Sequence, residues 1–212
     1  MMSWVGLNDV FSKGLGCEGA MTPRLLYVLF TDWFDHRIQR GDDGVSSELM
    51  LAYKQRLRRL VHEHGIRAIA EEMSFDAMAR PVAVKALRQA GEITTPEKIL
   101  DHIQQHIHGQ HLPSVTEQIS LELNILYRAC DLGLAEQLPL TPWGDGTPEG
   151  VVKMRRRTFP PREQYWIQQL LALNRWPMLF VCGGDHRRSF RQRLVSTDLK
   201  VLVLRREESP EG

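Results

Sequence analysis

Short uninterrupted apolar runs alternate along this chain with stretches whose apolar residues recur every three or four positions. That alternation predicts strands separated by helices. Leu25–Phe30 (LLYVLF) reads as a buried strand, and Ile66–Ala70, Met178–Cys182 (MLFVC) and Leu199–Leu204 read as further strands. Ser46–His64 sets Leu49, Tyr53, Leu57, Leu60 and Val61 on one helical face, and Gly65 suits a C-terminal cap. Phe75–Ala90 reads as helix, with Pro81 marking a break or a fresh start. Thr94-Thr95-Pro96-Glu97 is a helix-start signal, and Ile99, Leu100, Ile103 and Ile107 then share a face. A longer helix is expected from Ser114 to about Leu132, burying Ile119, Leu123, Leu126 and Tyr127. Arg162–Asn174 and Arg187–Leu194 complete the helices. Thr31–Gly41 reads as a polar-aromatic loop. Residues 139–161, with Pro139, Pro142, Pro148, Pro160, Pro161 and the run Arg155–Arg157, read as one long loop. A fifth strand is expected near Gln137–Leu140.

Strands alternating with helices predict an α/β fold: a single three-layer domain with a mostly parallel central sheet flanked by helices. Its expected extent is residues 23–205, with 1–22 as an N-terminal extension and 206–212 as a disordered tail. At 42% apolar and 25% charged residues the chain has enough apolar material for a full core. A net charge of +1 gives no electrostatic reason to expect nucleic acid or an acidic membrane as partner. No apolar run approaches a membrane span, and the first twenty residues lack the basic and apolar regions of a signal peptide. Cys17, Cys130 and Cys182 are few and without metal-type spacing, which points to a reduced, cytoplasmic compartment.

In parallel sheets ligands bind beyond the carboxyl ends of the strands. Asp35, His36 and Gln39 follow the first strand, and Glu71 and Glu72 end the second. Arg162 and Glu163 open the helix after the proline-rich segment, and Asp185 and His186 follow the strand MLFVC through Gly183-Gly184. Consecutive strand residues point to opposite faces, so only one of Glu71 and Glu72 enters a crevice, and Glu71 is favoured. The Gly183-Gly184 step allows close backbone approach, and the helix after it offers N–H groups to an anion. His186 suits a general base or a metal ligand. The alternative, polar residues that merely mark where strands reach the surface or a turn in which His186 caps, has comparable weight. His102 and His106 are one helical turn apart, but the isoleucines define the buried face and leave the histidines toward solvent. Cys182 and Cys130 read as core residues, and no nucleophile-elbow, Walker-type or zinc-ribbon spacing is present.

The segments FTDWFDHRIQ, AIAEEMS, PREQYWIQQL and LFVCGGDH fall in an order that resembles the erythromycin-esterase, ChaN and TraB/Tiki superfamily. That superfamily includes hydrolases and proposed metalloproteases that share an α/β fold. The resemblance spans about residues 25–204 and implies Glu71, Glu72, Arg162, Gly183 and His186 as site residues. His36 stands in the place of the first histidine, although no glycine precedes it at the family's spacing.

The leading expectation is a hydrolase acting on a small molecule or peptide. His186 and one glutamate would activate water, and Arg162 would stabilise developing negative charge. His36, Gln39, Gly183, Gly184 and Asp185 would bind substrate. The cofactor is left open by the residues: His186 and Glu72 are compatible with a divalent metal ion and equally with acid–base work alone. The alternatives are a non-catalytic binding protein for a phosphate-bearing or other anionic ligand, with Arg155–Arg157 contributing, or a protein-interaction module presenting Trp33-Phe34.

Overall fold

The computed structural model describes residues 23–40, 44–137 and 147–204, with the side chains of 33–36, 134, 137 and 148 excepted. The expected extension 1–22, the tail 206–212, most of the expected strand near Gln137–Leu140 and the start of the expected loop lie outside these residues. Strands β1 (Leu25–Thr31), β2 (Ala68–Glu71), β3 (Leu126–Ala129), β4 (Met178–Gly183) and β5 (Lys200–Leu204) form one parallel sheet in the order β3-β2-β4-β1-β5. The fold is the α/β architecture with helices around a parallel sheet. β1, β2 and β4 are central and buried on both faces, which is why they read as continuous apolar runs; β3 and β5 are edges and largely exposed.

Alternate residues along the central strands feed two cores. One face carries Val28, Phe30, Ala70, Phe180 and Cys182 under helices α7 (Pro148–Leu173) and α8 (Arg187–Leu194). The other carries Leu29, Ile69, Leu179 and Val181 under α2 (Ser47–His64) and α5 (Val115–Glu122), with Ile38 of α1 (Trp33–Arg40) beside them. A third core, built from Ala79, Ala83, Leu87, Ile99, Ile103 and Ile107, belongs to a helical module of α3 (Phe75–Gln89), α4 (Pro96–His102) and a π-turn, Ile103–Ile107. These three elements pack mainly on one another. His102 and His106 flank the buried isoleucines, their rings 4.6 Å apart. A short helix, α6 (Leu134–Gln137), follows β3. Among the described residues no helix is long and apolar enough to cross a membrane.

Three local expectations are corrected. Thr31–Gly41 is not a loop: it contains α1. The helix expected from Ser114 to Leu132 stops at Glu122 because Asn124 turns left-handed (φ 52°), and Leu126–Ala129 becomes the fifth strand, pairing with β2. The stretch 148–161, expected as loop, is the first half of α7. Thr147 caps it, its Oγ1 accepting from Gly150 N at 3.0 Å, with Pro148 in the first turn. Thr147-Pro148-Glu149 is the same start signal as Thr95-Pro96-Glu97, hidden by the prolines around it. Pro81 and the pair Pro160-Pro161 sit inside continuous helices. Tertiary packing outweighs their lost hydrogen bonds, α3 on the helical module and α7 on the sheet.

Candidate active site

Glu71 and Glu72 divide between the two faces of the sheet. Glu71 does share a face with Ile69, but that face lies under α5, so the expectation that Glu71 enters the crevice is corrected. Glu71 is fully buried, and its Oε1 accepts from Ser114 Oγ and Tyr127 Oη. Burial pushes its carboxyl above the usual range against those hydrogen bonds. It ties the start of α5 and strand β3 to the end of β2. Glu72 continues the ladder, its N–H bonding Val181 O at 2.8 Å, and turns toward α7 and α8.

There it meets Arg162. Arg162 Nη2 donates to Glu72 Oε1 at 2.5 Å and to Asp131 Oδ2 at 2.6 Å, while its Nε donates to Asp131 Oδ1 at 2.9 Å. Trp166 Nε1 donates to the same Asp131 oxygen at 3.0 Å. Gly183 N donates to Glu72 Oε2 at 2.7 Å. Burial disfavours the Arg162 charge, but the two carboxylates outweigh it and raise its pKa further. Asp131 follows β3, a segment whose apolar spacing is that of a helix, so the local pattern does not mark it as a site residue.

His186 sits in a 3₁₀ turn, Gly184–His186, between β4 and α8, and is 3% exposed. Its Nδ1 lies 2.8 Å from Glu163 Oε1, which assigns the proton to Nδ1 as donor. Its Nε2 lies 3.4 Å from Glu72 Oε1. Glu163 is fully buried and also accepts from Ser189 Oγ (2.5 Å) and Arg193 Nε (2.9 Å). Phe159 covers the imidazole with ring centroids 3.6 Å apart, and Trp166 meets it edge-on at 4.6 Å. Burial lowers the imidazole pKa, but its hydrogen bonds to Glu163 and Glu72 and the charge of Glu72 raise it more, so the net shift is upward from 6.5. Phe159, Arg162, Glu163 and Trp166 recur at three- and four-residue spacing, so one face of α7 supplies them all.

Glu72, Phe159, Arg162, Gly183, Gly184 and His186 line a cavity of about 660 Å³ at the carboxyl ends of β1 and β4. Gly184 passes close to the end of β1 there: a Cβ would stand 3.1 Å from Thr31 O, a tight contact that would press on the backbone. Asp185, at the mouth, pairs with Arg155 at 2.6 Å. Gln39 does not join this cavity; it is buried (1% exposed) on α1, a helix that packs with α2 and α5. The side chains of His36, Trp33 and Phe34 lie outside the described residues. Cys130 and Cys182 are buried and their thiols are pushed up, Cys130 to about 12, by burial first, which makes them poor nucleophiles.

The pairing of His186 with Glu72 as metal ligands does not fit the donor set. Among the described residues no group of three or more His, Cys, Asp and Glu is arranged to hold a metal ion. Arg162 already occupies the Glu72 oxygen that faces His186, placing a fixed positive charge where a cation would bind. What the arrangement offers is a carboxylate-oriented imidazole facing a second carboxylate, beside a guanidinium, at the floor of a cavity. No family model, no curated protein and no solved structure matches this chain, leaving the pocket's own geometry to define its chemistry.

Proposed function

We propose that the protein is a hydrolase that uses His186 and Glu72 as an acid–base pair on a small polar ester or amide, or on a peptide. The observation that carries this reading is the Glu163–His186–Glu72 line: Nδ1 held by a buried carboxylate, Nε2 directed at a second one on the cavity wall. The hydrogen bonds that raise the His186 pKa favour its protonated form, the form a general acid needs. Ionised Glu72 takes a proton from water as the water attacks. The Nε2 proton of His186 passes to the leaving group as its bond breaks. The 3.4 Å between Nε2 and Glu72 Oε1 then lets the proton return and reset the pair. Arg162 holds Glu72 in place and contributes positive charge where the substrate oxygen becomes anionic. Glu163 is a positioning residue. The motif order that resembles the erythromycin-esterase, ChaN and TraB/Tiki superfamily agrees with a hydrolase, and the sparse cysteines agree with a cytoplasmic location; both belong to this proposal.

A panel of chromogenic esters, phosphoesters, amides and short peptides tests it. Turnover by the wild type should fall about 100-fold or more in His186→Gln and Glu72→Gln. Residual turnover equal to wild type in His186→Gln would sink the assignment. A second reading is favoured by Arg155, Arg162 and Arg187 together on the cavity lining: a binding pocket for an anionic ligand. A phosphate-induced melting shift, with no turnover of any substrate class, would select it.

A further inference from the structure

The charged side chains on the lining of the His186 cavity fall into two kinds. Arg162 is held by Glu72 and Asp131, and Arg155 by Asp185. Asp32, just after β1, has interactions of its own. Arg187 stands apart: it lines the cavity, is exposed, and pairs with no carboxylate among the described residues. Its guanidinium carbon instead lies 5.4 Å from the centroid of the Phe30 ring. A ring face steadies a guanidinium without neutralising it and leaves the planar N–H fork unspent. Arg187 directly follows His186, so one turn carries both the imidazole and this open cation to the cavity. Val151, Met154 and Phe159 of α7 supply an apolar wall.

We propose that Arg187 determines the specificity of this cavity by binding the single carboxylate of an ester or amide substrate whose apolar body lies against α7. The proposal rests on the hydrolytic reading of His186 and Glu72 and names the substrate class that reading leaves open. A carboxylate accepts two parallel N–H bonds from one guanidinium, which fixes the substrate's orientation as well as matching its charge. The carboxylates of Glu72 and Asp185 on the same lining limit that charge. One open guanidinium balances a monoanion, whereas a phosphate-monoester dianion would bring a second charge toward those two groups.

Two acyl groups of one length test it, glutaryl, which ends in a carboxylate, and pentanoyl, which ends in a methyl group. Each is offered to the full chain as its para-nitrophenyl ester and its para-nitroanilide, with the spontaneous rate subtracted. In the wild type the glutaryl substrate should have a kcat/KM about tenfold or more above its pentanoyl partner, through a lower KM. Arg187→Gln should erase that ratio, and Arg187→Lys, which keeps the charge but not the fork, should keep part of it. Arg187 is exposed, so neither change opens the core, and circular dichroism checks the fold. Isothermal titration with phenylacetate, phenethyl alcohol and phenyl phosphate gives a second readout that needs no turnover. Phenylacetate should bind more tightly than either of the others and should weaken about tenfold or more in Arg187→Gln. The two readings fail separately. Equal kcat/KM for glutaryl and pentanoyl substrates, or an unchanged ratio in Arg187→Gln, overturns the assignment of Arg187 and leaves the hydrolase standing. Phenylacetate bound through Arg187 with no substrate hydrolysed supports the anchor and sinks the hydrolase. Phenylacetate that binds no better than the alcohol, or more weakly than phenyl phosphate, overturns the proposal.

Discussion

A proton on His186 stands between two carboxylates, Glu163 at Nδ1 and Glu72 at Nε2, and its fate links stability to pH. The folded-state pKa is raised, so the protonated form stabilises the fold. That contribution is fully present below the unfolded value of about 6.5 and is lost as pH rises through the folded value. The thermal midpoint of the wild type should therefore fall across that window more steeply than that of His186→Gln. Parallel curves for the two proteins would show that the imidazole carries no linked proton. If His186 is the general acid, turnover should decline over the same window. Glu163 was legible in the sequence only as the neighbour of Arg162. Its orienting role needed the helix through Pro160-Pro161 that brings it under His186.

The N-terminus of α5 is tied directly to a buried carboxyl of the sheet. Ser114 Oγ accepts from Glu117 N at 3.0 Å as an ordinary N-cap and donates its own proton to buried Glu71. Ser46 caps α2 in the first manner alone, accepting from Leu49 N at 3.3 Å. Ser46→Ala should therefore cost about 1 kcal/mol. Ser114→Ala should cost about 2 kcal/mol or more, because a buried carboxyl also loses a donor. Chemical denaturation of both variants checks this, and equal losses would mean that Glu71 gains nothing from Ser114. The caps at Thr95 and Gly65 were legible from residue type, since capping is local chemistry. The end of α5 was not, because Leu126 and Tyr127 keep the helical spacing of the residues before them and differ only in having β2 beside them.

At the scale of the whole molecule, three separate cores imply unequal stability. The module of α3, α4 and the π-turn buries its own apolar face and leans little on the sheet, whose two cores share the central strands. Local opening follows such boundaries. Hydrogen exchange should release the amides of Phe75–Gln89 and Pro96–His102 at lower free energy than those of β1 and β4. Leu87→Ala should lower the protection of the module while leaving β4 nearly unchanged. Equal loss in both regions would make the protein one cooperative unit.

The sequence by itself determined that the chain alternates strands and helices, and that LLYVLF and MLFVC lie inside, because runs apolar at every position can only be buried on both faces. It also determined that Glu71 and Glu72 point opposite ways, since the strand's period of two is a backbone property. Which of them reaches the cavity was decided by which face α7 covers. The partners of Glu72 and His186, Arg162 and Glu163, come from a helix whose first half reads as loop, and Asp131 comes from the bend just after a strand that reads as helix. Those contacts join residues far apart in the chain, so no local spacing encodes them. Only the packing of α7 against the carboxyl ends of the strands turns His186 from a residue after a glycine step into the centre of a hydrogen-bonded site.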